Sequence, residues 1–502
     1  MHERPVTVKL KSELGLPCSI SSAPGNFIKF RQGAVPVFLG LGPDPGVLMK
    51  MHPELDQFLY IECPELASQM GSGWDDLVPD NFIRLEPQQL VSGNMEKYGF
   101  ILYMPGLKHF PEFWTDVLAR IRLSSMVQHK NTDKQASVFI FGDQHTLLVP
   151  EICWETENLG FNPILVDPRL AADELSRLLK NNRPILAVSV NLRGMDSLGE
   201  KYALFQRLDI PVALWMVDNP FHLLTGIKGR YWARAHIFVT DDWFIDPLKT
   251  MGASRVYHLP LAAGPGFFRS TGKKDSELAG KTVFIGRSSF PGSKLFFAAA
   301  SRNAQLESEA LEIMSQGLRP DFSWWSTKIN APMWPGNKVR EMGLGAEHLG
   351  LVWKKMCLES FGGKNPLIVY GDKAWKKILP EWITIRPGVD YYGPLASIYS
   401  SAKYILNLTN MHLPGGLTQR HFDVWAAKGF LITDRTHGLK IFPRELAEEI
   451  SFSTPSEMLE LVARMDMDSS LRADLKSRFH SLIKSHHTYR HRLENMFNLL
   501  NI

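Results

Sequence analysis

The sequence predicts an α/β protein with three successive sheet domains, and three observations support this. Short apolar segments alternate with amphipathic helical segments along the 502 residues, which is the pattern of parallel α/β domains. Glycine turns follow the first strand of three blocks, at Gly40, Gly142 and Gly286. The length, at about 150 residues per domain, also corresponds to roughly three domains.

The composition is that of a folded protein with several apolar cores. Hydrophobic residues make up 44% and charged residues 22% of the chain, which excludes a disordered or collagen-like protein. Lys and Arg total 56 against 52 Asp and Glu, and because nucleic-acid binders carry a denser basic face, we expect no nucleic-acid partner. The four cysteines form no CxxC pair, which argues against a disulfide framework and a zinc site. Neither a signal segment nor a run of about 18 apolar residues occurs, so we expect a cytoplasmic protein without a membrane span.

The first block, residues 1–132, is predicted to be an accessory Rossmann-like domain. Residues 35–42 have the pattern of a buried strand with a glycine turn, and the next strand ends at Glu62. A dinucleotide fingerprint has the spacing GxGxxG and an acidic residue about 20 positions later that binds a ribose. Here Gly46 follows Gly40 and Gly42 one position late. A scaffold domain is therefore favoured over a site for NAD or S-adenosylmethionine.

The second block, residues 133–265, follows a polar linker at 128–136. Its first strand ends in Gly142-Asp143-Gln144-His145, and a later apolar strand ends at Asp218. A histidine at the mouth of a cleft can act as a general base, and Asp218 can orient it or bind a hydroxyl itself. The alternatives are an Asp143 helix cap with an exposed His145, and an Asp218 that caps the turn before Pro220.

The third block, residues 278–480, follows a linker at 264–281 and contains two turns suited to an anion. In the first, Gly286, Arg287 and Ser288 end a strand and Lys294 follows. Backbone amides together with these cations can hold a diphosphate. In the second, paired glycines precede a helix, so that its amides and Arg420 can approach the same anion, and Asp423 can accept hydrogen bonds from a ribose diol. The alternative is a tight loop with an internal Arg–Asp pair. The residues of this second turn are Asn407, Gly415, Gly416, Leu417, Thr418, Arg420 and Asp423.

Seven segments, in order, resemble the CgeB-like (spore-maturation type) glycosyltransferases with a group 1 glycosyl transferase C-terminal lobe. They are WMVDNP, VTDD, YHLPLAA, FIGRSS, YILNLTN, GGLTQRHFDVWAAKGFLITD and HTYRHRLENM. The resemblance covers about residues 135–495 and is strongest over 399–437. It implies a GT-B fold, in which two Rossmann-like lobes enclose a cleft, and a final helix, here 481–502 within a helical pattern over 470–500, crosses back. The nucleotide-sugar would bind the C-terminal lobe and the acceptor the N-terminal lobe.

The resemblance also assigns roles to residues of the third block. Arg287 and Lys294 match a phosphate-binding pair, although Lys294 is more widely spaced than usual. Asp423 stands at the second acidic position of the group 1 pair, which holds the ribose, whereas Gly415 replaces the first glutamate and so departs from the retaining mechanism. The segment that contacts the base is matched by Pro387, Gly388 and Val389.

The first block is similar, over a short stretch, to motility accessory factors linked to flagellin glycosylation. This implies that the acceptor is a flagellin-like protein or another surface-structure precursor, such as a glycan. We therefore expect a transferase that moves a sugar from a UDP- or GDP-linked donor to a hydroxyl, with no cofactor and, since no DxD motif ends a strand, no metal. The alternative is a degenerate transferase that holds a nucleotide or a partner without catalysis.

Overall fold

A computed structural model describes residues 4–71, 73–90, 95–124, 135–269 and 275–502. Within these ranges the chain forms three domains, each built on its own largely parallel sheet. Most of the predicted linker at 128–136 lies outside the described residues. The predicted linker at 264–281 is partly described and begins with a short helix.

The first domain is Rossmann-like, as the glycine turn predicts. Its five-stranded sheet has the order β3-β7-β4-β5-β6, in which only the edge strand β3 is antiparallel to its neighbour. A separate hairpin, β1-β2, precedes it. The elements are β1 (Thr7–Lys11), β2 (Pro17–Ser21), β3 (Phe27–Arg31), β4 (Val35–Leu39), α1 (Gly46–Met51), β5 (Phe58–Ile61), α2 (Pro64–Ala67), β6 (Phe82–Arg84), β7 (Tyr98–Tyr103), α3 (Met104–His109) and α4 (Pro111–Leu123).

The second domain has a six-stranded parallel sheet in the order β9-β8-β10-β11-β12-β13. Every residue of β8, β10 and β11 is buried, because helices cover both faces of a parallel sheet and its strands become continuous apolar runs. The elements are β8 (Ser137–Phe141), α5 (Val149–Asn158), β9 (Asn162–Val166), α6 (Ala172–Asn181), β10 (Leu186–Val190), α7 (Glu200–Arg207), β11 (Val212–Met216), α8 (Pro220–Leu224), β12 (His236–Val239), α9 (Ile245–Thr250), β13 (Val256–His258) and α10 (Pro265–Phe268).

The third domain has a six-stranded parallel sheet in the order β16-β15-β14-β17-β18-β19. Chain order reverses between β14 and β17, so the loops leaving these neighbours diverge and open a crevice. The elements are β14 (Thr282–Ile285), α11 (Ser293–Phe296), α12 (Ala304–Ser315), α13 (Phe322–Ile329), α14 (Val339–Gly362), β15 (Leu367–Gly371), α15 (Trp375–Ile378), β16 (Thr384–Pro387), α16 (Leu395–Ser401), β17 (Tyr404–Asn407), α17 (Arg420–Ala426), β18 (Leu431–Asp434), α18 (Arg444–Ile450), β19 (Ser451–Phe452), α19 (Pro455–Met467), α20 (Ser469–His486) and α21 (Tyr489–Leu500).

The second and third domains face each other across the carboxyl ends of their strands. Asn219, just after β11, donates to the carbonyl of His412 in the loop after β17, at 3.1 Å. Helix α20 packs on α17, and α21 returns to α5 of the second domain. This is the GT-B fold that the sequence led us to expect, preceded by an additional Rossmann-like domain.

The helical pattern over 470–500 predicts one helix, but the structure has two, α20 and α21. The break falls at His487 and Thr488, where Thr488 is the N-cap of α21 and pairs reciprocally with His491. The extended residues at the break pair with Ala263, whose amide donates to the His487 carbonyl at 2.9 Å. The chain therefore crosses to the second domain through a short backbone pairing as well as a helix.

The first domain is attached to the second through α4, which packs on α6 and α7. Arg122 of α4 has only 8% of its side chain exposed and lies between Asp173, at 2.6 Å, and Glu200, at 2.8 Å. A buried guanidinium with two carboxylate partners is costly to separate. The first two domains therefore form one body on one side of the cleft.

We expect Arg492→Ala to destabilise the protein, since this buried guanidinium of α21 donates to the carbonyls of Pro260 and Leu261 in the second domain. Loss of these charge-assisted hydrogen bonds leaves the buried Leu261 carbonyl and the partly buried Pro260 carbonyl without this donor, which costs about 2 kcal/mol or more. Urea unfolding of the full chain measures it. Arg490→Ala is the control, because Arg490 is exposed and pairs with Glu494 on its own helix; equal effects of the two substitutions would contradict this role of Arg492.

Candidate active site

The turn after β14 presents one of its predicted side chains to solvent and uses another internally. Arg287 is exposed at the end of this turn. The Ser288 amide donates to Asp372 at 2.7 Å and its hydroxyl to the same carboxylate at 2.9 Å, while the Gly286 carbonyl accepts from the Trp375 indole at 2.9 Å. Arg287 is therefore the group of this turn that remains available to an anion.

The loop after β17 is organised around Asn407, which is fully buried at the end of that strand. Its Oδ1 accepts from Arg420 Nε at 2.6 Å and from Thr418 Oγ1 at 3.1 Å. Its amide nitrogen donates to Thr433 on the neighbouring strand, at 3.0 Å. Arg420 is half-buried, and within the described chain its two terminal nitrogens have no hydrogen-bond partner. Asn407 thus aims a guanidinium with free donors at the crevice between β14 and β17.

Paired glycines carry this loop against the second domain. The Gly415 amide donates to Asp241, just after β12, at 2.8 Å. A Cβ at Gly415 would lie 3.0 Å from the Asp241 carboxylate, and one at Gly438 would lie 1.8 Å from the Gly415 carbonyl. Close approach explains these glycines and also Gly416, where a Cβ would lie 2.5 Å from the Leu413 side chain, whereas the adjoining Leu417 is simply buried. The Gly415 amide, predicted to face a diphosphate, is held by a carboxylate in this arrangement.

Asp423 is completely buried and both of its oxygens are engaged. It accepts from the Gly264 amide at 2.9 Å and from the Tyr391 hydroxyl at 2.8 Å. Burial raises the pKa of its carboxyl well above the ordinary range. No ion pair joins it to Arg420 among the described residues, so the alternative of an internal Arg–Asp pair is wrong. Asp423 thus ties the two lobes together, and its role in holding a ribose stays a prediction.

The remaining predicted residues of the third domain lie at its rim. Lys294 is exposed on the short helix α11. Pro387 ends β16, Gly388 is exposed after it, and Val389 is half-buried. They stand at the edge of the sheet next to Asp390 and Tyr392, which line a cavity of about 470 Å³.

Asp218 and His145 do not form the predicted dyad; no hydrogen bond joins them in the described chain. Asp218 Oδ2 instead accepts from the Asn191 amide at 2.7 Å, and Asn191 Oδ1 accepts from the backbone of Val217 and Asp218. Asn191 adopts a left-handed conformation at the end of β10, with φ 54°, a conformation that costs free energy and is found at functional sites. Asp218 Oδ1 has no donor in the described chain, and its side chain reaches solvent.

The surroundings of these two residues differ. Desolvation by the surrounding protein raises the pKa of the Asp218 carboxyl. The hydrogen bond from Asn191 and the nearby His412 oppose this shift only in part. His145 is exposed and lines the 470 Å³ cavity with Gln144, Trp154 and Asp390. Asp218 therefore faces the loop after β17, whereas His145 faces the segment after β16.

The C-terminal part of the chain has a recognisable sequence. Residues 354–498 match a family described as glycosyl transferase-like. By sequence, the C-terminal lobe resembles glycosyl transferases. No curated protein matches the chain, so the identities as a CgeB-like protein and as a motility accessory factor stay predictions.

The chain is similar to several solved structures, all at low sequence identity. The T4 phage β-glucosyltransferase in complex with UDP and Mn²⁺ has 8% identity, covers 73% of this chain and 100% of its own, and has a TM-score of 0.41. Alr3699/HepE from Anabaena, in complex with UDP, has 6% identity, the same coverage and a TM-score of 0.43. A UDP-forming α,α-trehalose-phosphate synthase from Burkholderia xenovorans has 11% identity, covers 94% and 99%, and has a TM-score of 0.37.

The described residues were also compared with what metal binding, a membrane span and a cofactor site in the first domain would require. Within the described ranges, no cluster of three or more metal-ligating side chains has the geometry to hold an ion, and no helix there is long and apolar enough to cross a membrane. In the first domain, Glu62 does not face an open crevice: its carboxylate accepts from the amides of Leu41 and Cys63, at 2.8 and 2.9 Å.

The sequence does not reveal several residues that build the site. Asn191, Asp241, Glu347, Lys354 and His412 all lie within or beside the cleft, and each carries a short-range contact to a predicted residue or to its neighbours. Of these, Asn191 and Asp241 have positions that could have indicated a role, since each follows the apolar run of a predicted strand.

Neighbouring Asp241 and Asp242 provide a pH test of the contact between the lobes. Burial raises the pKa of Asp241 from 3.8 to about 6, so its stabilising contribution is full below about pH 4 and is lost as pH rises through 6. Relative to Asp241→Asn, the wild type should lose on the order of 3 kcal/mol of unfolding free energy over that interval.

Asp242 should contribute to the free energy of unfolding with the opposite pH dependence. Burial acts to raise its pKa, but the Lys440 ammonium lowers it overall, so the wild type should gain stability over Asp242→Asn as the pH rises toward about 4 and keep that gain at higher pH. Urea unfolding at several pH values measures both differences, and parallel pH profiles would contradict the assignment.

Proposed function

We propose that the protein is a glycosyltransferase that moves a sugar from a nucleoside diphosphate donor to a hydroxyl acceptor. The observation that carries this proposal is the crevice between β14 and β17 in a glycosyl transferase-like lobe, where Arg287 follows β14 and Asn407 at the end of β17 holds Arg420 with its terminal nitrogens free. A diphosphate leaving group gains negative charge in the transition state, and preorganised cations in a cleft stabilise it. UDP- and GDP-sugars are the donors to test first.

We infer that Asp218 itself is the general base, and that it acts without His145. Its free Oδ1 takes the proton of the acceptor hydroxyl, the hydroxyl oxygen attacks the anomeric carbon, and the bond from that carbon to the diphosphate oxygen breaks. Asn191 fixes the other carboxylate oxygen, which orients the base. A single displacement of this kind inverts the anomeric configuration, consistent with Gly415 at the place of the first glutamate of the retaining pair.

Arg287 and Arg420 would stabilise the negative charge of the leaving diphosphate, as a divalent metal does in other transferases. We therefore propose that transfer needs no metal. The nucleoside would lie toward Pro387, Gly388 and Val389, on the side of the cleft where His145 stands. The acceptor would bind on the side of the cleft that the second domain forms, and the first domain is attached to that side. A flagellin-like protein or a glycan remains our proposal for the acceptor, in keeping with the resemblance of the first block.

Turnover of a bound nucleotide-sugar separates this function from a binding scaffold. A nucleotide at 100 times its dissociation constant stabilises the folded state by about 2.7 kcal/mol, so thermal-shift measurements with UDP, GDP and their sugars identify the donor base. Release of the nucleoside diphosphate from the matching sugar then tests turnover. Binding without release, across donors and acceptors and with EDTA or Mn²⁺ added, would favour the scaffold.

Asp218→Asn should abolish transfer while leaving donor binding intact. Loss of a general base lowers kcat by about 100- to 10,000-fold, and the carboxamide keeps the hydrogen bond to Asn191. Because the base must be ionised, wild-type activity should fall as pH drops through the raised pKa of Asp218. Steady-state kinetics and nucleotide titration measure both, with His145→Gln as the comparison; a larger loss for His145→Gln would refute Asp218 as the base.

Arg420→Met should weaken nucleoside diphosphate binding by about 10- to 100-fold, the range of a lost charge-assisted hydrogen bond. The control is Arg444→Met, which replaces an exposed arginine of the same lobe that pairs with Glu448 one turn away. Calorimetric titration of both variants checks the expectation. If Arg420→Met binds the nucleoside diphosphate as tightly as the wild type, the donor diphosphate does not bind in the crevice between β14 and β17.

A further inference from the structure

The middle of helix α14 holds a buried lysine directly behind the turn after β14. Lys354 is only 9% exposed, and its ammonium donates to the Arg287 carbonyl at 3.4 Å, a long hydrogen bond. No ion pair within 4 Å involves Lys354 among the residues that the structure describes. An ammonium has three donors and is expensive to bury, so this cation is poorly compensated by the protein itself.

The nearest carboxylates are committed to other groups. Glu347, seven residues earlier on the same face of α14, accepts from the Ser289 hydroxyl and from His412 Nε2, the latter at 2.9 Å. Asp372 accepts from the Ser288 amide and hydroxyl. Asp434 accepts from Arg319, from the Trp353 indole and from the Thr409 amide. These three carboxylates lower the positive potential around Lys354, but none of them forms an ion pair with its ammonium.

The electrostatics of Lys354 agree with this geometry. Burial lowers the pKa of its ammonium, Glu347 opposes that shift and Arg420 adds to it. Two cations, one from α14 and one from α17, are thus held near each other at the point where β14 and β17 diverge. A dianionic group bound there would compensate both.

We propose that Lys354 is a phosphate-binding residue of the donor site and supplies the second cation that the sequence assigned to Lys294. The inference rests on the proposed function, because it requires a nucleoside diphosphate in this crevice. Lys294 is exposed on α11, whereas Lys354 lies behind the same turn as Arg287. The ammonium would bind a phosphate oxygen and, with Arg420, carry the charge of the leaving diphosphate.

Lys354→Met tests the proposal, with Lys355→Met as its matched control. Lys355 is the next residue, half-exposed and paired with Glu359 at 3.0 Å. Titration uses UDP and GDP and the nucleosides uridine and guanosine. Lys354→Met should weaken the diphosphate that the wild type binds by 10-fold or more and leave the matching nucleoside unchanged. Lys355→Met should change neither.

Stability without nucleotide distinguishes a binding lysine from a structural one. Replacing an uncompensated buried cation by an apolar side chain of similar length is neutral or stabilising, so Lys354→Met should melt at the wild-type temperature or above. If that variant fails to fold, Lys354→Gln provides the same comparison. Loss of stability in both variants would assign the lysine to the core and overturn the proposal.

The remaining outcomes separate this inference from the proposed function. A wild type that binds neither UDP nor GDP, nor any other nucleoside diphosphate, overturns both. A wild type that binds one of them while Lys354→Met binds it within twofold overturns the role of Lys354 alone. A greater loss of affinity in Lys294→Met than in Lys354→Met would show that Lys294, on α11, is the second phosphate-binding cation.

Discussion

The candidate site depends on one buried amide, that of Asn407 at the end of β17. Its nitrogen bonds to Thr433 and so ties β17 to β18, while its oxygen holds both Thr418 and Arg420. A buried amide must have its hydrogen bonds satisfied, and a network of this kind fixes one arrangement of the groups that satisfy it. The long loop between β17 and α17 is thereby anchored at both ends, and the orientation of Arg420 follows from the strand.

Buried carboxylates then set how the two lobes meet. Asp241 of the second domain binds the Gly415 amide, and Asp423 of the third domain binds the Gly264 amide. Each carboxylate belongs to one lobe and each amide to the other, so the contacts run in both directions across the cleft. Burial raises the pKa of both carboxyls, so holding the lobes together carries a desolvation cost.

Part of this site could be predicted from the sequence because strand ends in parallel sheets are easy to locate. Apolar runs end at Asp218, Arg287 and Asn407, and the fold places those ends at the cleft. Asp423 was found by its spacing, but its partners Gly264 and Tyr391 are distant in the chain and depend on how the lobes dock. Lys354 and Lys355 are alike in sequence, and only the packing of α14 buries the first and exposes the second.

The first domain shows how the same glycine turn can be closed instead of left open. Positive φ angles at Gly40 and Gly42 shape the turn, and the Trp74 indole donates to the Gly42 carbonyl at 3.1 Å. Glu62 accepts two backbone hydrogen bonds from this region and is 2% exposed, and burial raises its pKa to about 7.

A ribose bound in the manner of a dinucleotide would have to displace those hydrogen bonds, and an unpaired buried amide costs about 1–3 kcal/mol. We therefore interpret the domain as a rigid extension of the second lobe, to which the buried Arg122 fastens it. On that interpretation, the acidic residue that makes the turn resemble a cofactor site is the residue that closes it.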